Sequence, residues 1–99
     1  MAATVAAPAI VRAEPQIKWR LASSFPKSLD TIYGAAEVLA NRVREITEGK
    51  FDIRVFAGGE IVPGFQTLDA AQQGTVECGH ATMYYFIGKN KAFAFDTAL

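Results

Sequence analysis

Gly58-Gly-Glu-Ile-Val-Pro-Gly-Phe-Gln-Thr-Leu-Asp-Ala-Ala-Gln-Gln-Gly-Thr-Val-Glu-Cys-Gly-His-Ala-Thr-Met-Tyr-Tyr85 decides how the rest of the chain is read. It runs as loop, short helix, tight turn, buried strand, and then an aromatic pair where a strand runs out. Phe65, Leu68 and Ala71 make a small apolar face at helical spacing, and Gly74 stands where a helix C-terminus takes a residue free to adopt positive φ. A short strand of mostly small residues follows from Val76 to Thr82. In open α/β sheets the carboxyl ends of parallel strands face the ligand crevice, so Met83, Tyr84 and Tyr85 are expected where binding takes place.

Working outward, Gln16 to Ala22 alternates, with Ile17, Trp19 and Leu21 on one side and Lys18 and Arg20 on the other. That is the period of a strand with one solvated face, and it predicts a position near a sheet edge. Pro26 and the hydroxyl residues around it break the pattern, and Ser28 or Asp30 is placed to cap the next helix. Ile32, Ala36, Leu39, Val43 and Ile46 form one apolar stripe from about Leu29 to Glu48, opposite Glu37, Asn41, Arg44, Glu45 and Glu48. Gly49 is the expected stop. Phe51 to Phe56 alternates again, so the simplest topology joins the first two strands by a right-handed parallel crossover. The fold class read from these segments is α/β, in the order βαβαβ. Tyr84 to Phe95 is aromatic-rich and weakly patterned, and reads as a short helix or loop leaving the third strand.

A chain of 99 residues can bury only about two-thirds of its unfolded surface, which allows one core and not two lobes. With 51% hydrophobic residues, 20% charged residues and a formal charge of zero, neither disorder nor a polyelectrolyte partner is indicated, and nucleic acid is not an expected target. Met1 to Ala13 is nearly all Ala, Val, Ile and Pro and ends in Val11-Arg12-Ala13. It has the apolar region and small-residue cleavage site of a secretory signal without the basic start. Two readings fit: residues 1–13 are the remnant of a longer signal peptide, or they are an Ala-rich tail; residues 14–99 are the folded part. The apolar run is shorter than the roughly 20 residues a membrane-spanning helix needs. At the other end, Ala94 to Leu99 is apolar and carries no helix-stop signal, as a chain interrupted within its fold would be.

Four segments carry a family resemblance: Ile17-Lys-Trp-Arg-Leu-Ala-Ser-Ser24, Val43 to Ile61, Leu68 to His80, and Met83-Tyr-Tyr-Phe-Ile-Gly-Lys-Asn-Lys-Ala-Phe-Ala-Phe-Asp-Thr-Ala-Leu99. In this order and spacing they resemble the start of a TRAP transporter solute-binding protein, and the last segment resembles the branch that binds 2-oxo acids and related small carboxylates. The resemblance runs from Gln16 to Leu99. It implies a periplasmic protein of two α/β lobes that closes on a small organic anion and passes it to TRAP membrane subunits. It implies no catalysis and no cofactor. Family members are considerably longer, and the arginine that usually pairs with the substrate carboxylate lies beyond Leu99, so the chain is expected to be the opening, incomplete part of lobe 1.

The ligand-binding candidates are Tyr84, Tyr85, Ser24 and Phe25. In the resembling family aromatic residues after the third strand line the cleft, and a phenol supplies an apolar wall together with a hydrogen-bond donor; ordinary core or surface tyrosines are the competing reading. Ser23, Ser24 and Phe25 end the first strand just before a helix N-terminus, whose free N–H groups favour anions, although turn and capping chemistry would explain the same serines. Cys78 and His80 lie two apart on one strand. No other His or Cys completes a metal set, and no third group orients a Cys–His nucleophile, so a packed strand accounts for them better than a metal site or a small α/β enzyme does. Glu60 reads as a solvated loop carboxylate, and Gly58-Gly59 lacks the spacing of a nucleotide-binding motif. A truncated, non-binding fragment is the remaining alternative.

Overall fold

The computed structural model describes residues 16–98; the proposed signal remnant, residues 1–13, lies outside them. Three strands, β1 (Ile17–Ser23), β2 (Phe51–Phe56) and β3 (Cys78–His80), form one parallel sheet in the order β2-β1-β3. Helix α1 (Asp30–Ile46) joins β1 to β2, a 3₁₀ turn (Gly64–Gln66) and helix α2 (Thr67–Gln73) join β2 to β3, and a second 3₁₀ turn (Met83–Phe86) and helix α3 (Phe93–Ala98) follow. The βαβαβ order expected from the sequence is therefore present.

β1 is the central strand, not an edge strand. It pairs with β2 along its length, from Ile17 opposite Phe51 to Ala22 opposite Phe56, but meets β3 only at Leu21, Ala22 and Ser23. Its first four residues are exposed and its last three buried, which is why that half alternates like an edge. The third strand is correspondingly shorter than Val76–Thr82 suggested. Val76 is buried among apolar side chains without joining the ladder, and Glu77 finishes the ladder with its side chain. The Glu77 carboxylate accepts the Arg20 backbone N–H at 2.7 Å and is met by the Arg20 guanidinium at 3.1 Å, while the Glu77 amide donates to the Arg20 carbonyl at 3.3 Å.

Adjacent residues of a strand point to opposite faces, and Leu21 and Ala22 show the consequence. Leu21 packs with Ala36 and Ala40 of α1 and Ile53 of β2; Ala22 packs with Ala70 of α2 and Val76. The helices thus cover opposite faces of the sheet. The buried positions of α1 are Tyr33, Ala36 and Ala40; of the stripe expected from hydropathy Ala36 is buried and Val43 packs on the core, but the face is rotated away from Ile32, Leu39 and Ile46. Alanines bring the helix axis close to the sheet, whereas Ile32, Leu39 and Ile46 stay 45%, 52% and 79% exposed. The same correction applies to α2, whose buried residues are Thr67 and Ala70, with Phe65 exposed in the turn before it.

Neither Ser28 nor Asp30 caps α1. Leu29 occupies the N-cap without a side-chain hydrogen bond, and Asp30 lies in the first turn, where a negative charge suits the helix dipole. At the other end Glu48 and Gly49 are both left-handed, and the Gly49 amide donates to the Arg44 carbonyl at 2.8 Å. Thr47 completes the exit: its hydroxyl donates to the Val43 carbonyl and accepts the Phe51 amide. Gly74 closes α2 at φ +82°, as its position predicts. No described helix is long and apolar enough to cross a membrane.

Two stability predictions follow from this architecture. Gly34 lies inside α1 with no atom within 4 Å of an added Cβ, so Gly34→Ala should raise stability by about 0.5–1 kcal/mol, read as a higher urea midpoint at unchanged slope. The Arg20 guanidinium and amide hold the Glu77 carboxyl below the ordinary value of 4.5. A depressed carboxyl stabilises the folded state above its unfolded value and loses that contribution as pH falls through the folded value. Urea midpoints of the native protein and Glu77→Gln should differ at neutral pH and converge as pH drops below that ordinary value.

Candidate functional site

The C-terminal ends of β1 and β3 lie side by side, with Ser23 opposite His80. Beyond them the chain turns into Ser24-Phe25-Pro26 on one side and into the Met83–Phe86 turn on the other. The loop between β2 and α2 folds over this end and borders an open concavity of about 300 Å³ lined by Ser24, Pro26, Gly58, Gly59, Gly64, Phe65 and Tyr85.

Its floor is set by Ser24. The Ser24 carbonyl lies so close to the glycine loop that a Cβ on Gly58 would stand 2.8 Å from it and one on Gly64 2.7 Å. The Ser24 hydroxyl donates to the Gly64 carbonyl and lies 2.9 Å from the Thr67 hydroxyl; the Gly58 amide donates to the Phe25 carbonyl at 3.0 Å. Loop and turn are therefore one hydrogen-bonded unit. Sequence inspection marked the loop as glycine-rich but missed this role, because close approach to a backbone 40 residues away in sequence leaves no local signature.

The wall is aromatic. Tyr85 meets Phe65 at 4.8 Å and Tyr84 at 4.7 Å, both edge to face, and leans on Phe25 at 6.0 Å. Hydrogen bonding to Tyr84 pushes the Tyr85 phenol above its usual value, with burial adding to the shift. The four predicted residues are thus brought to one end of the sheet in different positions. Ser24 and Tyr85 line the concavity, Tyr84 is half-exposed on the rim beside Tyr85, and Phe25 is buried behind the wall with Tyr33 and Ala57. Helical spacing predicts Phe65 in a packing face, yet its exposed ring forms the other side of the opening. The Thr82 hydroxyl, just before the tyrosines, is buried without a hydrogen-bond partner.

Cys78 and His80 point into different surroundings. The Cys78 thiol packs beside the Leu21 cluster, and burial, reinforced by Glu77, pushes it up, away from the thiolate that nucleophilic chemistry needs. His80 lies against Phe25, with Nδ1 3.0 Å from the Ser23 hydroxyl. Among the described residues no group of three or more His, Cys, Asp and Glu could hold a metal ion. Glu60 pairs with Lys27 at 3.4 Å. Both line a larger, more polar trough of about 500 Å³ along α1 and β2, where Arg44 is likewise bound to Asp52 at 2.9 Å. Lys27, Glu60 and Arg44 are thus paired internally, and Arg54 lies over the Phe56 ring; the smaller concavity is the candidate site because it lies at the carboxyl ends of the parallel strands.

Parallel strands flanked by helices, with a crevice at their carboxyl ends, are the arrangement of an open α/β ligand-binding lobe. The chain belongs to the bacterial extracellular solute-binding protein family 7, DctP, which it matches over residues 22–99. It is 56% identical over 85 residues to a monocarboxylate 2-oxoacid-binding periplasmic protein of Nostoc sp., an alignment covering 86% of this chain and 23% of that protein. Among solved structures it resembles a TRAP transporter solute-binding protein from Bordetella bronchiseptica with calcium and picolinate bound, at 54% identity and a TM-score of 0.80 over 84% of this chain and 25% of the other. It also resembles one from Pseudoalteromonas atlantica with sodium and pyruvate bound, at 27% identity and a TM-score of 0.75 over 81% and 24%. The chain spans about a quarter of the length of each of these relatives.

Because an added methyl at Gly64 would meet backbone and not a movable side chain, Gly64→Ala should destabilise by about 1–3 kcal/mol through overpacking. Gly58→Ala should act in the same direction. Urea unfolding checks this: with Gly34→Ala as the unhindered control, a loop that had room for a Cβ would leave Gly58→Ala and Gly64→Ala close to native stability.

Proposed function

We propose that this chain forms part of the ligand cleft of a periplasmic TRAP solute-binding protein that captures a small carboxylate of the 2-oxo acid class and delivers it to TRAP membrane subunits. The observation that carries this reading is the concavity at the strand ends, floored by the Ser24 turn and walled by Tyr85 and Phe65, in a chain so similar to a 2-oxoacid-binding periplasmic protein.

Each part of the concavity suits such a ligand. The aromatic wall covers the short carbon chain of a 2-oxo acid, and a tyrosine hydroxyl on that wall donates to a carboxylate or keto oxygen. Tyr85 does so as the neutral phenol, the form any tyrosine near its ordinary value holds at physiological pH. Gly58 and Gly64 let the loop lie on the Ser24 turn, and Gly59 leaves the surface open beside them. Closure of a second lobe over this surface would complete the site by hinge motion. The reading has no catalytic step, and Cys78 and His80 face different surroundings, the thiol the Leu21 cluster and the imidazole the Phe25 ring.

Calorimetry with pyruvate on the purified exported protein, compared with Tyr85→Phe, tests the assignment. Loss of one hydrogen bond to a charged ligand is worth roughly 1.5–3 kcal/mol, so the variant should bind ten- to a hundredfold more weakly. Unchanged pyruvate affinity in Tyr85→Phe removes that hydroxyl from the site, and absence of any heat with pyruvate or longer 2-oxo acids overturns the ligand class.

A further inference from the structure

We infer that His80 is a positioning residue of this cleft, holding the Ser23-Ser24-Phe25 turn through the Ser23 hydroxyl and the Tyr85 wall through the ring of Phe25. The inference rests on the cleft being the carboxylate site proposed above, and it concerns how that site keeps its shape before any ligand arrives.

Ser23 is 1% exposed, and a hydroxyl buried to that degree needs partners for its polar atoms. It has two. The Phe25 amide donates to Ser23 Oγ at 3.1 Å, and Oγ lies 3.0 Å from His80 Nδ1. With Oγ accepting from the amide, its own proton is free to point at Nδ1, and a neutral imidazole carrying its proton on Nε2 presents a lone pair there. Burial favours the neutral ring, lowering its value from the ordinary 6.5. The hydroxyl thus relays the position of His80 to the backbone of Phe25.

Two further contacts tie the same residue to the cleft. The His80 carbonyl accepts the Ser24 amide at 2.8 Å, fixing the residue whose carbonyl and hydroxyl seat the glycine loop. The imidazole meets the Phe25 ring edge to face at 5.2 Å, and Phe25 in turn supports Tyr85. One residue at the end of β3 therefore holds Ser24 through its backbone carbonyl, while its imidazole holds the Ser23 hydroxyl and backs the wall through Phe25. If His80 merely filled space, an apolar ring of similar size would replace it and the orientation of Nδ1 would be immaterial.

That contrast sets the experiment. His80→Phe keeps a ring against Phe25 and removes the nitrogen; His80→Asn puts an amide oxygen close to the Nδ1 position; Ser23→Ala removes the same hydrogen bond from the other side with a smaller change in volume. Ligand-free heteronuclear NMR should show the Ser24 and Phe25 amides and the Tyr85 ring signals displaced in His80→Phe and Ser23→Ala, and returned toward native positions in His80→Asn. Pyruvate affinity should fall about tenfold in each of the first two variants and by no more in the double variant, because partners in one network are not additive. Native Ser24, Phe25 and Tyr85 signals in a folded His80→Phe or Ser23→Ala protein overturn the inference, as do additive losses in the double variant. If the parent protein binds no pyruvate, the ligand reading fails by itself, and the ligand-free spectra still decide the role of His80. Should His80→Phe not fold, Ser23→Ala gives the same reading alone.

Discussion

The Ser24 carbonyl, held between Gly58 and Gly64, is the constraint on which the ligand-facing end of the molecule depends. Neither glycine has room for a Cβ, with Ser24 O only 2.8 and 2.7 Å from where one would stand. That closeness lets the β2–α2 loop lie flat on the turn after β1, and the Ser24 hydroxyl and the Gly58 amide fasten the two together. A larger residue at either place would lift the loop, open the concavity and separate Phe65 from Tyr85. Backbone packed this tightly on backbone has no rotamer with which to yield, so the constraint is steric before it is energetic.

Elsewhere the fold is organised by small residues in a similar way. Ala36 and Ala40 bring α1 onto Leu21 and Ile53, Ala70 brings α2 onto Ala22, and Val76 fills the gap where β3 has yet to begin pairing. The sheet is short on its β3 side, and Glu77 stands in for the missing ladder by satisfying both backbone groups of Arg20. Its carboxylate takes the Arg20 N–H and its amide serves the Arg20 carbonyl, and the charge is tolerated because the position is exposed. The outer surface of α1 carries Ile32, Leu39 and Ile46 uncovered, and the chain spans about a quarter of the length of its relatives.

The site joins two chemistries. Its floor is backbone and hydroxyl groups, largely bonded to one another; its wall is a run of rings from Phe65 through Tyr85 to Phe25 and His80, edge to face at its two ends and tilted between Tyr85 and Phe25. Rings packed this way give a stiff apolar surface with few rotatable bonds, while the phenols keep polar tips for an oxygen-rich ligand. Cys78 and His80, neighbours on one strand face, serve different ends: the thiol belongs to the core, the imidazole to the support of the cleft.

Much of this was legible in the sequence. The alternation of Phe51 to Phe56, the three-and-four spacing after Asp30 and the glycine at position 74 determine strand, helix and stop, because these depend on local backbone preference and periodic burial. The expectation that Ser24 and the Tyr84–Tyr85 pair come together followed from the parallel order, and that order needs only short connections to be inferred. Three matters waited for the tertiary structure. Which stripe of α1 is buried was decided by how closely alanines let it approach the sheet; hydropathy alone favoured the larger Ile and Leu. Whether β1 is central or at an edge was decided by where β3 pairs, and only its last three residues have that neighbour. The meeting of Gly58, Gly64 and Ser24, and of Ser23 with His80, joins residues 34 to 57 positions apart. Contacts over such separations arise from the path of the whole chain, and no local pattern of residue types encodes them.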